Sequence, residues 1–294
     1  MNKIPSACVL IVCLVAVAAG CSGCKRRTTF EIPKAILHAR NATLDQLLHI
    51  VNRYEGIRTL QCGIKAEYTS REMENDQIEL EKYPKAPGHI LLQRPDSTYL
   101  VIQNPVLKTR EISLLSEGDE FRAFIHRKNT LFIGSNSATE LVSEDQTENP
   151  KIPIRATHVF QAILPESVSI QNTDIRISKM EMQDAQSTYY VLNVYRENGP
   201  ILLRPFQEFQ IERVGLTVSR QRIFDEDGRI VADIAYSDVA EHGEFLLPGK
   251  IHIERPLDGY TLDLELADWR VNPVFKEDIF KLEPPPGVQV TRFK

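Results

Sequence analysis

The sequence predicts an α+β fold that is mostly β: one large antiparallel sheet with a wet face and an apolar face, and two amphipathic helices to cover the apolar one. Three observations carry this reading. Apolar and polar residues alternate with period two in run after run, most cleanly at Tyr260, Leu262, Leu264 and Leu266 and again at Ile230, Ala232, Ile234 and Tyr236, which is the signature of a strand with one buried side. The joints carry turn chemistry, as in Asp225-Glu-Asp-Gly228, Glu241-His-Gly-Glu244 and Arg255-Pro-Leu-Asp-Gly259. Helical periodicity is confined to two well-marked segments.

The first residues lie outside the fold. Lys3 is a short basic start, and Ala7 to Ala19 is an apolar run too short to span a bilayer, as in a signal peptide. It ends in Val17-Ala-Ala-Gly-Cys21, which resembles a bacterial lipobox with Ala18 where a larger aliphatic residue is usual. An ordinary secretory leader with an incidental Cys is the alternative. With the lipobox, residues 1–20 are a lipoprotein signal peptide and Cys21 becomes an acylated N-terminus anchored in a membrane. Ser22 in the next position then implies the outer membrane, facing the periplasm. Residues 21–42 form a tether and lead-in, whose Lys25, Arg26 and Arg27 either touch anionic headgroups or are simply solvated. Residues 43–294 show no linker and read as a single domain. A net charge of −5 without a basic stripe argues against nucleic acid as a partner. Of five cysteines, only Cys24 and Cys62 outlast the leader and the anchor, so a Cys24–Cys62 disulfide is open.

Pro33 to Arg40 reads as a short helical lead-in. A stronger helix starts at Thr43, with Leu44, Leu47, Leu48, Val51 and Tyr54 on one face, a capping box from Thr43 to Gln46, and Gly56 as its stop. The period then changes to two at Leu60, Cys62, Ile64, Ala66 and Tyr68. Further strands read at Ile78–Leu80, Ile90–Gln93, Thr98–Gln103, Glu111–Leu115, Phe121–His126 and Leu131–Ile133, before a charged loop from Ser135 to Lys151. Ala156, Val159, Phe160, Ile163 and Leu164 make the second helical face, stopped by Pro165. Strands follow at Val168–Lys179, Thr188–Arg196, Ile201–Arg204 and Phe206–Glu212, then four more from Leu216 to Trp269. Three strands read as closing alike, at Arg94-Pro95, Arg204-Pro205 and Arg255-Pro256, where Pro ends a ladder.

Catalytic spacing is missing: there is no phosphate loop, nucleophile elbow, His-Glu-x-x-His or Cys-x-x-Cys. His242 with Glu244, and His252 with Glu254, are pairs without a third ligand, and a solvent-facing strand explains them better than a metal. No enzyme, cofactor or metal is expected.

The order of features carries a resemblance. A lipoprotein leader precedes an amphipathic helix, then a long antiparallel sheet containing Gly-x-x-x-x-x-Arg-Pro (Gly88 to Pro95) and a Gly118-Asp119 turn. A helix interrupts the sheet at mid-chain, and the chain closes with Phe280-Lys-Leu-Glu-Pro-Pro-Pro-Gly-Val288. This is similar to the outer-membrane lipoprotein carriers and receptors, the LolA and LolB proteins, and their lipoprotein-sorting-like relatives. The resemblance implies a curved, unclosed antiparallel half-barrel whose concave face is lidded by helices and receives lipid or lipoprotein acyl chains, with a periplasmic carrier as partner. This chain departs from the carriers in length, in its anchor, and in having Ser97-Thr98-Tyr99-Leu100 after the Arg-Pro. On this reading the cavity is lined by Leu60, Ile64, Leu100, Ile102, Leu262 and Leu264, under a lid formed by Val159, Phe160 and Ile163. The alternative is a structural or scaffold envelope lipoprotein in which these residues are ordinary core and no ligand enters.

Overall fold

The computed structural model describes residues 38–74, 77–136, 154–199 and 201–293. Cys21, the leader, Cys24 and most of the Ser135–Lys151 loop lie outside the described residues.

Thr43 caps helix α1 (Leu44–Val51) with the expected reciprocal bonds: its hydroxyl accepts from the Gln46 amide and the Gln46 side chain accepts from the Thr43 amide. The helix ends earlier than Gly56 because Asn52 takes the cap position and spends its side chain on Val168, donating to its carbonyl at 2.7 Å and accepting from its amide at 2.8 Å. Six strands then run as a meander: β1 (Thr59–Glu74), β2 (Gln77–Gln93), β3 (Ser97–Gln103), β4 (Arg110–Glu117), β5 (Glu120–Ile125) and β6 (Thr130–Ser135). Helix α2 (Ala156–Ile163) stands at mid-chain, before a second meander of β7 (Ile175–Gln183), β8 (Thr188–Asn198), β9 (Leu202–Glu212), β10 (Thr217–Phe224), β11 (Ile230–Ser237), β14 (Lys250–Arg255) and β15 (Tyr260–Val271). A small hairpin of β12 (Ala240–His242) and β13 (Phe245–Leu247) interrupts it, and β16 (Gln289–Arg292) closes the described chain.

The two meanders join where β15 pairs with β1, giving one 14-stranded sheet ordered β16-β6-β5-β4-β3-β2-β1-β15-β14-β11-β10-β9-β8-β7. Every pairing is antiparallel except that of β16 with β6. The edges β16 and β7 do not meet, so the sheet is a half-barrel, not a closed barrel. Register shifts recur along it, between Gln61 and Gly63, Ala66 and Tyr68, Ile102 and Gln103, and Val218 and Arg220. Such bulges bend and twist a strand locally, and repeated across neighbouring strands they curve the sheet.

The bulges also explain two strands that sequence splits. β2 is continuous for 17 residues through Pro84 and Pro87; the Ala66/Tyr68 shift accommodates Pro84, while Pro87 stays in register opposite Lys65. Likewise β9 runs through Arg204-Pro205 at a shift between Val194 and Tyr195, so the second Arg-Pro does not end a strand. In the other direction, strand structure begins only at Ile175. Val168 is instead a buried plug against the end of α1.

The inner face is mostly apolar, with Gln207 and Gln221 as buried polar exceptions. α2 packs on the β1–β5 half and on β14–β15, burying Val159, Phe160, Ala162, Ile163 and Leu164, while α1 covers the other half at Tyr190, Phe209 and Ile211. The outer face differs from the expected wet side. Over β2–β6 it carries Leu91, Tyr99, Val101, Leu115, Phe124 and Leu131, covered by Phe275, Ile279, Phe280 and Leu282 of the tail. The runs Ile90-Leu-Leu92 and Tyr99-Leu-Val101 are apolar on both sides, the pattern of a doubly covered strand.

Gly88 sits where β2 crosses closest to β3, and a Cβ there would collide with the backbone carbonyl of Val101. The glycine of the Gly-x-x-x-x-x-Arg-Pro stretch is thus a steric requirement of strand pairing. Gly88→Ala should cost about 1–3 kcal/mol, the usual range for overpacking, read as a lower urea midpoint at unchanged slope.

Candidate functional site

The residues nominated for the cavity share one face. Leu60, Ile64, Leu100, Leu262 and Leu264 from the sheet, and Val159, Phe160 and Ile163 from α2, are 0–7% exposed and belong to a single packed cluster. Helix α2 fills the space they surround. Ile102 is different: it is half-buried and stands at the edge of this cluster, where the sheet opens.

At that edge lies a cleft of about 570 Å³. Its floor is apolar, from Ala66, Ile102, Ile112, Ile125 and Ile154, and Tyr68 and Tyr83 form one wall. Its mouth is polar, with Glu81, Asn104, Glu111, Arg127 and Lys128. Asn104 fixes one lip: its Nδ2 donates to Glu111 at 2.9 Å, and its Oδ1 accepts from the amides of Val106 and Leu107 at 2.9 Å each. The cleft has the volume of a small-molecule site and the polarity of an amphiphile. By contrast, the opening between α1 and β9–β11 holds about 20 Å³, room for a water molecule.

A buried polar chain connects α2 to the cleft wall. Arg255 of β14 donates from Nε to Asp258 Oδ2 at 2.7 Å and from Nη2 to His158 Nε2 at 2.9 Å. A guanidinium can only donate, so Nε2 is the acceptor, Nδ1 carries the ring proton, and that N–H donates to the Tyr260 hydroxyl at 2.6 Å. Tyr260 packs on Tyr68 with ring centroids 5.5 Å apart, and Tyr68 on Tyr83 at 5.5 Å. His158 is therefore held neutral: burial, then the charges of Arg255 and Arg155, hold its pKa well below 6.5. Tyr236 adds a second pin, donating to the Ala162 carbonyl at the end of α2 at 2.9 Å.

Among the described residues, no cluster of three His, Cys, Asp or Glu could hold a metal. His252 bonds Asp263 at 2.7 Å rather than pointing to a site. Asp233, near the Asp225 turn, is taken up by Arg220 and Arg222. Cys62 is a buried free thiol, and burial pushes its pKa up, which suits packing and not nucleophilic attack. Ser113 and His126 make a serine–imidazole contact of 2.9 Å, yet Ser113 is fully buried, where no substrate reaches it. Sequence reasoning missed the cleft residues Tyr68, Tyr83, Ile112 and Ile125 and the His158–Arg255 pair. Strand alternation marks the first four as inner-facing, but only the pairing register brings them together.

No family model matches the chain, and no curated protein does. Among solved structures it is similar to a LolA superfamily protein of Nitrosomonas europaea, at 12% identity and TM-score 0.47, covering 82% of this chain and 99% of that one. A DUF1329 family protein of Desulfovibrio piger matches at 11% and 0.48, covering 80% and 94%. A putative outer membrane lipoprotein-sorting protein domain of Vibrio parahaemolyticus matches at 10% and 0.44, covering 79% and 95%.

The neutral His158 makes stability pH-dependent. Above pH 6.5 the ring is neutral folded or unfolded and contributes no slope. Below it, the unfolded chain takes up a proton that the fold refuses, so stability falls as pH drops toward 5. His89 and His126, also lowered by burial first, add in the same direction. Melting temperature should drop between pH 7.5 and 5, and less steeply in His158→Asn.

Proposed function

We propose that the protein is a lipoprotein, anchored in the outer membrane through an acylated Cys21, that binds lipid or lipoprotein acyl chains. The observation that carries this reading is the cleft at Ile102: an apolar floor of isoleucines, an aromatic wall and a charged mouth, at the open end of a half-barrel. Each methylene moved from water onto such a floor gains about 0.8 kcal/mol, while Arg127 and Lys128 can meet an anionic headgroup.

In this reading the cleft is the resting binding site. The compartment bounded by Leu60, Ile64, Leu100, Leu262 and Leu264 is occupied in the ligand-free protein by Val159, Phe160 and Ile163 of α2. A helix of eight residues is marginal on its own, so its place depends on packing and on the polar pins at His158 and Ala162. On this reading the protein is a binding protein, not an enzyme.

The test is a soluble fluorescent fatty acid titrated into the purified protein, with a charge placed on the half-buried floor. Ile125→Glu should weaken binding roughly tenfold or more, a change of about 1.4 kcal/mol or greater, with little loss of melting temperature. Affinity should rise with chain length until the cleft is full. A parent protein that binds no fatty acid, with the tight packing around α2 intact, would favour the solid-core scaffold instead.

A further inference from the structure

The two ends of the half-barrel are chemically unlike. One end collects the turns β1–β2, β3–β4, β5–β6, β8–β9, β10–β11 and β14–β15. That they share an end follows from the register: Ser70 pairs with Tyr260, Arg71 donates its amide to Gly259 at 2.7 Å, Gly228 packs against Pro205, and Asn198 pairs with Leu202. The other end collects the β2–β3 turn at Arg94–Asp96, Gly118-Asp119, Asp184–Ser187, Arg213–Gly215 and the connection from β11 to β14 that carries the small hairpin.

Large apolar side chains are exposed at the first end. Leu80 is 65% exposed near the β1–β2 tip, Val106 and Leu107 are 83% and 72% exposed in the β3–β4 turn, Ile201 is 94% exposed at the β8–β9 tip, and Leu257 is 54% exposed in the β14–β15 turn. In the turns of the opposite end, none of the described residues is a large exposed apolar, although Met180 and Met182 of β7 and Val274 of the tail are exposed near it. The exposed residues therefore project from four separate hairpins around one rim. Aliphatic tips that leave more than half of their surface in water contribute little to the core of the fold.

We infer that this rim docks onto a lipid bilayer surface, with the aliphatic tips inserting among the headgroups. Three observations favour a bilayer over a protein. The tips are isolated points flanked by charge, as in Pro105-Val-Leu-Lys108 and Arg255-Pro-Leu-Asp258, a pattern that suits shallow insertion into a fluid surface better than the contiguous patch a protein interface needs. The mouth of the cleft opens at the same end, bounded by Asn104, Arg127 and Lys128, so a docked rim brings the cleft to the source of acyl chains without a passage through water. The chain enters the fold at the opposite end, where the Arg40 amide donates to the Arg213 carbonyl at 3.0 Å, which leaves the rim clear of that connection. Both signs of charge stand at the rim, Lys82, Lys108 and Arg127 beside Glu79, Glu81 and Glu226. Attachment is thus carried by apolar area and does not require anionic lipid.

The experiment is flotation of residues 22–294, which lack both the apolar leader and the acylated cysteine, with zwitterionic phosphatidylcholine vesicles. The comparison is the same chain with Leu107→Glu, Ile201→Glu and Leu257→Glu, three exposed positions whose change leaves the core intact. The parent should float with the vesicles, the triple variant should partition at least tenfold less at an unchanged melting temperature, and raising the salt to 0.5 M should leave parent binding within a factor of two. Absence of parent flotation, equal flotation of both chains, or loss at high salt overturns the inference, as does a rim that binds only a protein. Fatty-acid titration without vesicles separates this result from the cleft reading: the triple variant should keep the parent's affinity there, whatever the outcome of flotation.

Discussion

The structure depends on one packing constraint: the apolar inner face of an open 14-stranded sheet has to be covered from within. A closed barrel covers its interior with its own side chains, and a sandwich with a second sheet. Here two short helices do it, and α2 fills the half nearer β1. Burying a helix in that hollow brings polar groups with it, and each must find a partner. His158 meets Arg255 and Tyr260, and the last carbonyls of α2 meet Tyr236. The same bonds that satisfy the buried groups fix the helix, so cover and pin are one device. Where α2 stops, the cover stops, and the cleft at Ile102 is what remains open.

The parts of the fold legible in the sequence are those set by local periodicity and local caps. Thr43 with Gln46, the alternation at Tyr260 to Leu266, and the apolar face of Ala156 to Leu164 act within a few residues, and each appears as read. The features that escape are non-local. Pro84 and Pro205 read as strand breaks because the bulges that accommodate them are defined only by pairing with a neighbouring strand. The outer cover of β2–β6 comes from a tail more than a hundred residues away, as at Tyr99 and Phe280. The cleft likewise draws Ala66, Ile112 and Ile125 from three strands, and only register unites them. Sequence identifies inner-facing residues such as Leu60 and Ile102 alike; burial alone separates the packed one from the one at the opening.

This division bears directly on function. The nominated residues form one continuous apolar surface, most of it filled by α2 and a minority exposed at the cleft. The inner face of the sheet is thus covered mainly by the chain's own helix. The β14–β15 turn is tied through Arg255 and Tyr260 to His158 of the helix, and Tyr260 packs on Tyr68 of the cleft wall, so the turn at Leu257, the cleft wall and the helix share neighbours.

The central claim is that the cleft holds an acyl chain, and the most direct measurement is the lipid that travels with the protein. Mass spectrometry of organic extracts, made from residues 22–294 exported behind a cleavable secretory leader and purified without detergent from a bacterial envelope, should find acyl lipids in near-stoichiometric amount, and in markedly lower amount from the same chain carrying Ile125→Glu. Equal lipid content in both, or none in either together with no uptake of added fatty acid, would contradict the account.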